Sequence, residues 1–255
     1  MEEKNELMSS DGLSPESLLS GTSVLAHANN LLDTMLEFKE LMLGYSAAIR
    51  QLRTKLEILD TEFEVRYRRN PISSIQTRLK SQTSIMEKMR RKGIPISRDN
   101  IEANICDIAG VRVICSYIDD IYKLAGALTE QTDIELVAKK DYIENPKPNG
   151  YRSLHLIVKV PVYFSDSVKL VCAEIQIRTI AMDFWASLEH QIRYKQHLTH
   201  SEEISLQLKK SADVIAYTDQ LMLNIRREID VTQPEKTDVE QIVEKLKRFD
   251  ASLGG

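Results

Sequence analysis

Three cysteines in 255 residues, Cys106, Cys115 and Cys172, are an odd number, and none shows a CxxC or Cys/His spacing. That argues against both a disulfide framework and a zinc site, and the three read as reduced core residues. No apolar run is long enough to span a bilayer. The start, MEEKNELMSSDGLSPES, is acidic and polar where a signal peptide would be basic and then apolar. A soluble, cytoplasmic protein without a membrane partner is the expectation. No internal repeat is visible. What is present, 42% apolar and 28% charged residues, is the composition of a chain with a well-buried core. The formal net charge of −4 hides a local excess of cations. Residues 66–92 hold nine Lys or Arg against one acid, Glu87. Such a stretch suits a bound polyanion, although a solvated basic surface or an RNA-contacting patch would look the same.

Residues 1–25 are rich in Ser, Glu and Gly with little apolar periodicity, which predicts a mobile tail. From about residue 30 the pattern turns helical. Ile49, Leu52, Leu56, Leu59 and Phe63 recur at spacings of three and four, and Asn70-Pro71 is the expected stop. A helix over 83–92 ends at Gly93, and a short one follows near 98–106. The period then changes to two. Strands are predicted over 109–117, 134–143, 151–163 and 168–178, with a helix over 119–131 between the first two, and helices over about 180–195 and 202–230 close the fold. The order predicts an α+β fold: a mixed β-sheet of about five strands flanked by N- and C-terminal helices, spanning 26–232, with a C-terminal tail over 233–255.

Parity along the strands sorts their polar residues. Leu154, Leu156, Val158 and Val160 share one face, and Tyr151, Ser153 and His155 the other; Val171, Ala173, Ile175 and Ile177 oppose Glu174, Gln176 and Arg178. A solvated sheet face with a Glu174–Arg178 pair explains the pattern too. The polar set, however, is Tyr, His, Gln and Glu beside the loop NPKPNG (145–150), which carries Lys147. In DIAGVRV (107–113), Asp107 stands just before the strand that carries Arg112. A carboxylate and an arginine there suit Mg²⁺ and phosphate, although Asp107 alone also fits a turn. In TRLKSQTSIMEKMRRKG (77–93), Arg78 and Lys80 share a face if the segment is extended, and Ser84 and Lys88 lie four apart on a helix.

Taken in order, TRLKSQTSIMEKM, DIAGVRV, NPKPNGYRSLH, AEIQIRT and FWASLEHQIRYK resemble the synthetase domain of the RelA/SpoT family over about residues 45–230. The short chain resembles its single-domain members, the small alarmone synthetases, most of all the RelP type. The resemblance implies a nucleotidyltransferase-like domain that transfers the β,γ-pyrophosphate of ATP to the ribose 3′-hydroxyl of GDP or GTP, giving ppGpp or pppGpp plus AMP. By the matching motifs, Asp107 and Glu174 correspond to the acids that hold Mg²⁺, and Glu174 is also the candidate base. Arg78, Lys80, Ser84, Lys88 and Arg112 fall on ATP-binding positions. Lys147, Asn149, Tyr151, His155, Gln176 and Arg178 fall on GDP/GTP-binding positions, with Tyr151 as the ring that stacks on guanine. The motif leaves the roles of Glu189, His190, Arg193 and Lys195 open.

The resemblance carries further expectations. Long members bear a hydrolase domain that needs a His-Asp dipeptide, and none occurs here, so synthesis without hydrolysis is expected. Their C-terminal regulatory domains do not fit in the remaining residues, and ribosome-dependent control is not expected. Small synthetases are typically homotetramers, with the helical stripes as natural interfaces. Two rivals remain at this point. One is a nucleotidyltransferase of the polymerase-β type, whose Gly-Ser pair and DxD carboxylates are not found; the other is an RNA-binding scaffold using the 66–92 patch. DNA binding is not expected, while RNA binding stays open.

Overall fold

The computed structural model describes residues 15–195 and 201–232. Eleven elements follow in chain order: α1 (Pro15–Tyr67), β1 (Ile72–Leu79), α2 (Gln82–Lys92), α3 (Arg98–Asn104), β2 (Ala109–Cys115), α4 (Ile118–Thr129), β3 (Glu135–Asp141), β4 (Leu154–Tyr163), β5 (Val168–Thr179), α5 (Ile180–Lys195) and α6 (Ser201–Thr232). The strands form one mixed sheet in the order β1-β2-β5-β4-β3. Only β2 and β5 run parallel. A parallel pair cannot be joined by a tight turn, and the intervening chain supplies the crossover through α4.

The apolar parity of the strands builds the core. Val111 and Val113 of β2, Leu154, Leu156, Val158 and Val160 of β4, and Ala173, Ile175 and Ile177 of β5 are all buried. Against them lie Leu52, Leu56 and Leu59 of α1 and Ile121, Leu124 and Leu128 of α4, so the expected helical stripe seals one sheet face. Burying a leucine fully stabilises the fold by about 1.5–3 kcal/mol, which makes this face the main source of cohesion.

Several boundaries differ from expectation: β2 and β3 are shorter, and β4 begins at Leu154 rather than 151, so Tyr151 and Ser153 precede the strand. Helix α1 starts at Pro15, inside the segment expected to be tail, and proline with its fixed φ is well suited to a first helical position. Residues 1–14 and 233–255, the rest of the expected tails, lie outside the described residues. At its other end α1 stops before the pre-proline position, because Arg68 turns left-handed at φ 57° while its N–H still bonds Glu64 O at 2.9 Å. Finally, residues 72–79, which the period left unassigned, form the edge strand β1, paired antiparallel with β2.

Register lays the polar face out in rows. Gln76, Arg112, Gln176, His155 and Lys140 stand opposite one another across the five strands. In the adjacent row Arg78 pairs with Gly110 and Gly110 with Glu174. A Cβ on Gly110 would lie 3.4 Å from Arg78 O, so glycine keeps the floor open between the arginine and the carboxylate.

Candidate active site

The open face of β1, β2 and β5 forms a cleft of about 400 Å³ lined by Gln76, Arg78, Lys80, Asp107, Arg112, Glu174 and Gln176, among others. It adjoins a second hollow of about 560 Å³, with Arg78 and Lys80 common to both, where Ser84, Glu87, Lys88, Arg90 and Arg91 complete the wall. Helix α2 enters this wall properly capped. Ser81 Oγ accepts the Ser84 N–H at 3.3 Å, and no acid stands in the first turn, so the helix presents its positive end without a competing charge. At the far end Gly93, at φ 67°, receives the chain as the sequence predicts.

Two carboxylates line the floor. Lys80 Nζ and Lys88 Nζ each lie 2.8 Å from Asp107 Oδ2. Burial pushes the Asp107 carboxyl up, but the two ammonium groups outweigh it and hold it below the usual carboxylate range. Its other oxygen, Oδ1, is buried without a hydrogen-bond partner among the described residues. Glu174 Oε1 lies 3.1 Å from His155 Nδ1, and Oε2 accepts Gln176 Nε2 at 2.9 Å. Here too burial raises the pKa, and the bonds from His155 and Gln176 bring it below its ordinary value. Among the described residues no three His, Cys, Asp or Glu side chains form a metal cage. Two hard carboxylates, one with an orphaned oxygen, match Mg²⁺, which takes one or two protein oxygens and completes its shell with water and phosphate.

The opposite wall is a closed net. Arg178 Nη2 donates to Tyr151 Oη at 2.6 Å and to Gln176 Oε1 at 2.8 Å. Tyr151 Oη meets His155 Nε2 at 2.8 Å, and His155 in turn meets Glu174. Every donor finds one acceptor when a neutral imidazole carries its proton on Nδ1 and the tyrosine donates to Nε2. The loop before β4 supports this net. Gly150 N–H bonds Lys147 O at 2.8 Å with Gly150 at φ 90°, and Asn149 Oδ1 accepts the Tyr151 N–H at 3.2 Å. The Lys147 ammonium sits 4.6 Å and 4.7 Å from the ring centroids of Tyr142 and Tyr151. A Cβ on Gly150 would come within 2.5 Å of Ala212 Cβ, so the loop is seated directly on α6.

All the residues expected from the sequence come to this face, but not all of them are open to a ligand. Arg178 was expected to face the cleft as a nucleotide-binding group. It is instead buried, with Nε on Ser153 Oγ and Nη1 on Asp183 as well as the two bonds above, because α5 folds back over the end of β5. Asn149 uses its amide on Glu189 Oε1 at 3.1 Å, which ties the loop to α5. His190 is exposed, and the side chains of Arg193 and Lys195 lie outside the described residues. Sequence reasoning missed Asp183 and Tyr142. Tyr142 could have been noticed as an aromatic close to the Lys147 loop; nothing in the spacing of Asp183 announces its partners.

Comparisons with known proteins converge. A family model described as "Region found in RelA / SpoT proteins" matches residues 77–199. The chain is 45% identical to GTP pyrophosphokinase YwaC of Bacillus subtilis over 206 residues, covering 81% of this chain and 98% of that one. Among solved structures it is similar to small alarmone synthetase 2 of Bacillus subtilis, with a TM-score of 0.68 and 46% identity over 75% of this chain and 99% of that one. It is also similar to small alarmone synthetase 1 of the same organism, solved bound to its product pppGpp, with a TM-score of 0.69 and 37% identity over 75% and 97% of the two chains.

Proposed function

The chain belongs to the small alarmone synthetases of the RelA/SpoT family, and from that premise we propose how its cleft makes (p)ppGpp from ATP and GDP or GTP. The 3′-hydroxyl oxygen attacks the β-phosphorus of ATP, the bond from that phosphorus to the α,β-bridging oxygen breaks, and AMP leaves. Glu174 accepts the hydroxyl proton and releases it to water. Its depressed pKa makes it a weak but fully ionised base at neutral pH, so aiming the hydroxyl matters more than basicity.

Arg78, Lys80, Ser84, Lys88 and Arg112 form the donor side. They supply charge to a triphosphate whose oxygens otherwise repel the incoming nucleophile. Asp107 and Glu174 are the residues that would hold Mg²⁺, which when bound screens the phosphate charge. Lys80 and Lys88, which flank Asp107, supply ammonium charge to the phosphates of ATP. On the acceptor side guanine takes the face of Tyr151 that Lys147 covers, and the exposed ammonium moves to the acceptor phosphates. Asn149 shapes the loop; His155 and Gln176 fix Glu174, and Arg178 fixes Tyr151.

Residues 26–232 form the synthetase unit in this reading. Exposed Met35, Leu36 and Leu43 on α1, and Tyr217, Leu221 and Ile225 on α6, are the apolar surface that a homotetramer would cover. Among the described residues no helix is long and apolar enough to cross a membrane, in keeping with a cytoplasmic site of action.

The single observation that carries the reading is the pair Asp107 and Glu174 lining one cleft, between a cationic wall and an aromatic, lysine-bearing loop. Incubation with ATP labelled at the β-phosphate, Mg²⁺ and GDP or GTP tests it. Label moves to the guanosine nucleotide as AMP appears. Free pyrophosphate with no labelled guanosine product would overturn it.

A further inference from the structure

Two arginines of the cleft share one acid. Asp183 stands in the first turn of α5. The start of that helix is pinned by Thr179, whose hydroxyl accepts the Met182 N–H at 3.0 Å and donates to Asp219 of α6 at 2.7 Å. From there a single oxygen, Asp183 Oδ1, receives Arg178 Nη1 at 3.1 Å and lies 3.5 Å from Arg112 Nη1. The Asp183 side chain is 19% exposed, so water screens these contacts only partly.

The register explains why such an acid is needed. Strands β2 and β5 run parallel with Arg112 opposite Gln176, which puts Arg112 diagonally beside Arg178 on the same face. The two like charges oppose each other. Burial first, and then the charge of Arg178, lowers the pKa of the Arg112 guanidinium. For each arginine, Asp183 is the carboxylate in ion-pair contact among the described residues. Arg112 belongs to the donor side and Arg178 holds the acceptor tyrosine, so Asp183 stands at the junction of two substrates while lining neither.

We propose that Asp183 is a positioning residue coupling the two halves of the site: one carboxylate oxygen neutralises both guanidinium groups and holds them in a single arrangement. This rests on the donor and acceptor assignment above. Without that charge, Arg112 and Arg178 move apart, the first withdrawing from the phosphates and the second releasing Tyr151. One substitution at a residue that lines neither nucleotide therefore weakens both.

The test is equilibrium binding, measured by calorimetry, of a non-hydrolysable α,β-methylene ATP analogue and of GDP. The proteins are the wild type, Asp183→Asn, Arg112→Ala and the double variant. Asparagine preserves shape and an acceptor oxygen while removing charge; Asp183→Ser replaces it in the same cycle if the asparagine variant melts early. Asp183→Asn is expected to weaken both ligands about tenfold, the size of losing a charged hydrogen bond. In the Arg112→Ala background the same change alters analogue binding by less than about twofold and still weakens GDP about tenfold. A purely structural residue would instead weaken the ATP analogue equally in both backgrounds. That outcome, a loss for one ligand alone, or no loss, overturns the proposal. Label transfer by the wild type is scored separately: its failure would sink the functional reading, not this coupling.

Discussion

On the donor wall, Arg78 is exposed, and among the described residues Lys80 and Lys88 share one ion-pair partner, Asp107. On the acceptor wall, Tyr151, His155, Glu174, Gln176 and Arg178 bond one another in a ring. The contrast matches what each wall must do. A triphosphate offers many equivalent oxygens, and ammonium groups, as point charges on long stems, can follow it as charge redistributes. A hydroxyl that must attack along one line needs its base and ring fixed in advance, because misplacement by about 1 Å can cost roughly a hundredfold.

The largest effect should come where the walls meet. Glu174→Gln is expected to lower the transfer rate by about 10²–10⁴-fold while both nucleotides still bind, as rapid-quench assays and calorimetry would show. A comparable loss of ATP binding would mean that the two walls are not separable. Next comes the acceptor ring. Tyr151→Leu should weaken GDP by about 1–3 kcal/mol, the worth of base–aromatic stacking, and leave the ATP analogue unchanged. Tyr151→Phe retains the ring but loses the bonds to Arg178 and His155 that aim it, so it should weaken GDP about tenfold, as Asp183→Asn does, and turn over more slowly.

Lys88→Ala should weaken the ATP analogue about tenfold and GDP hardly at all, with the affinity for ATP falling faster with added salt than that for GDP. Equal salt slopes would erase the distinction between a wall of charges and a wall of fixed contacts. The smallest effect is on stability. The Asp107 carboxyl has a folded pKa below its unfolded value of about 4, so its ion pairs stabilise the fold above that pH. Asp107→Asn should therefore be less stable than wild type at pH 7 by on the order of 1 kcal/mol. The gap closes as pH falls through the depressed folded pKa, which acid titration of both melting curves would follow.

Which parts were legible in the sequence follows from where each residue's partners lie. Strands β4 and β5 declared themselves because Leu154, Leu156, Val158 and Val160, and Val171, Ala173, Ile175 and Ile177, keep a strict period of two, and parity put His155, Glu174 and Gln176 on one face. Strand β1 was hidden because ISSIQTRL is an edge: only Ile72 and Ile75 are even half-buried, so no period of two survives. Parity also set Arg178 on the correct face but could not say that α5 would cover it. Asp183 was out of reach for a different reason. Its role exists only through Arg112, on a strand brought alongside by the parallel β2–β5 pairing, and no local pattern encodes that distance in the chain. The RelA/SpoT motifs supplied the chemistry; the hydrogen-bond ring and its acid needed coordinates.

Gly150, pressed against Ala212 and Lys209, gives the acceptor loop an unusual place in the life of the chain. Every residue of the sheet and of the donor wall is already synthesised when residue 179 leaves the ribosome, yet the loop that aims Tyr151 has no seat until residues 209–212 follow. On the donor and acceptor roles we propose, the nascent chain completes its cationic wall before its acceptor loop has a seat.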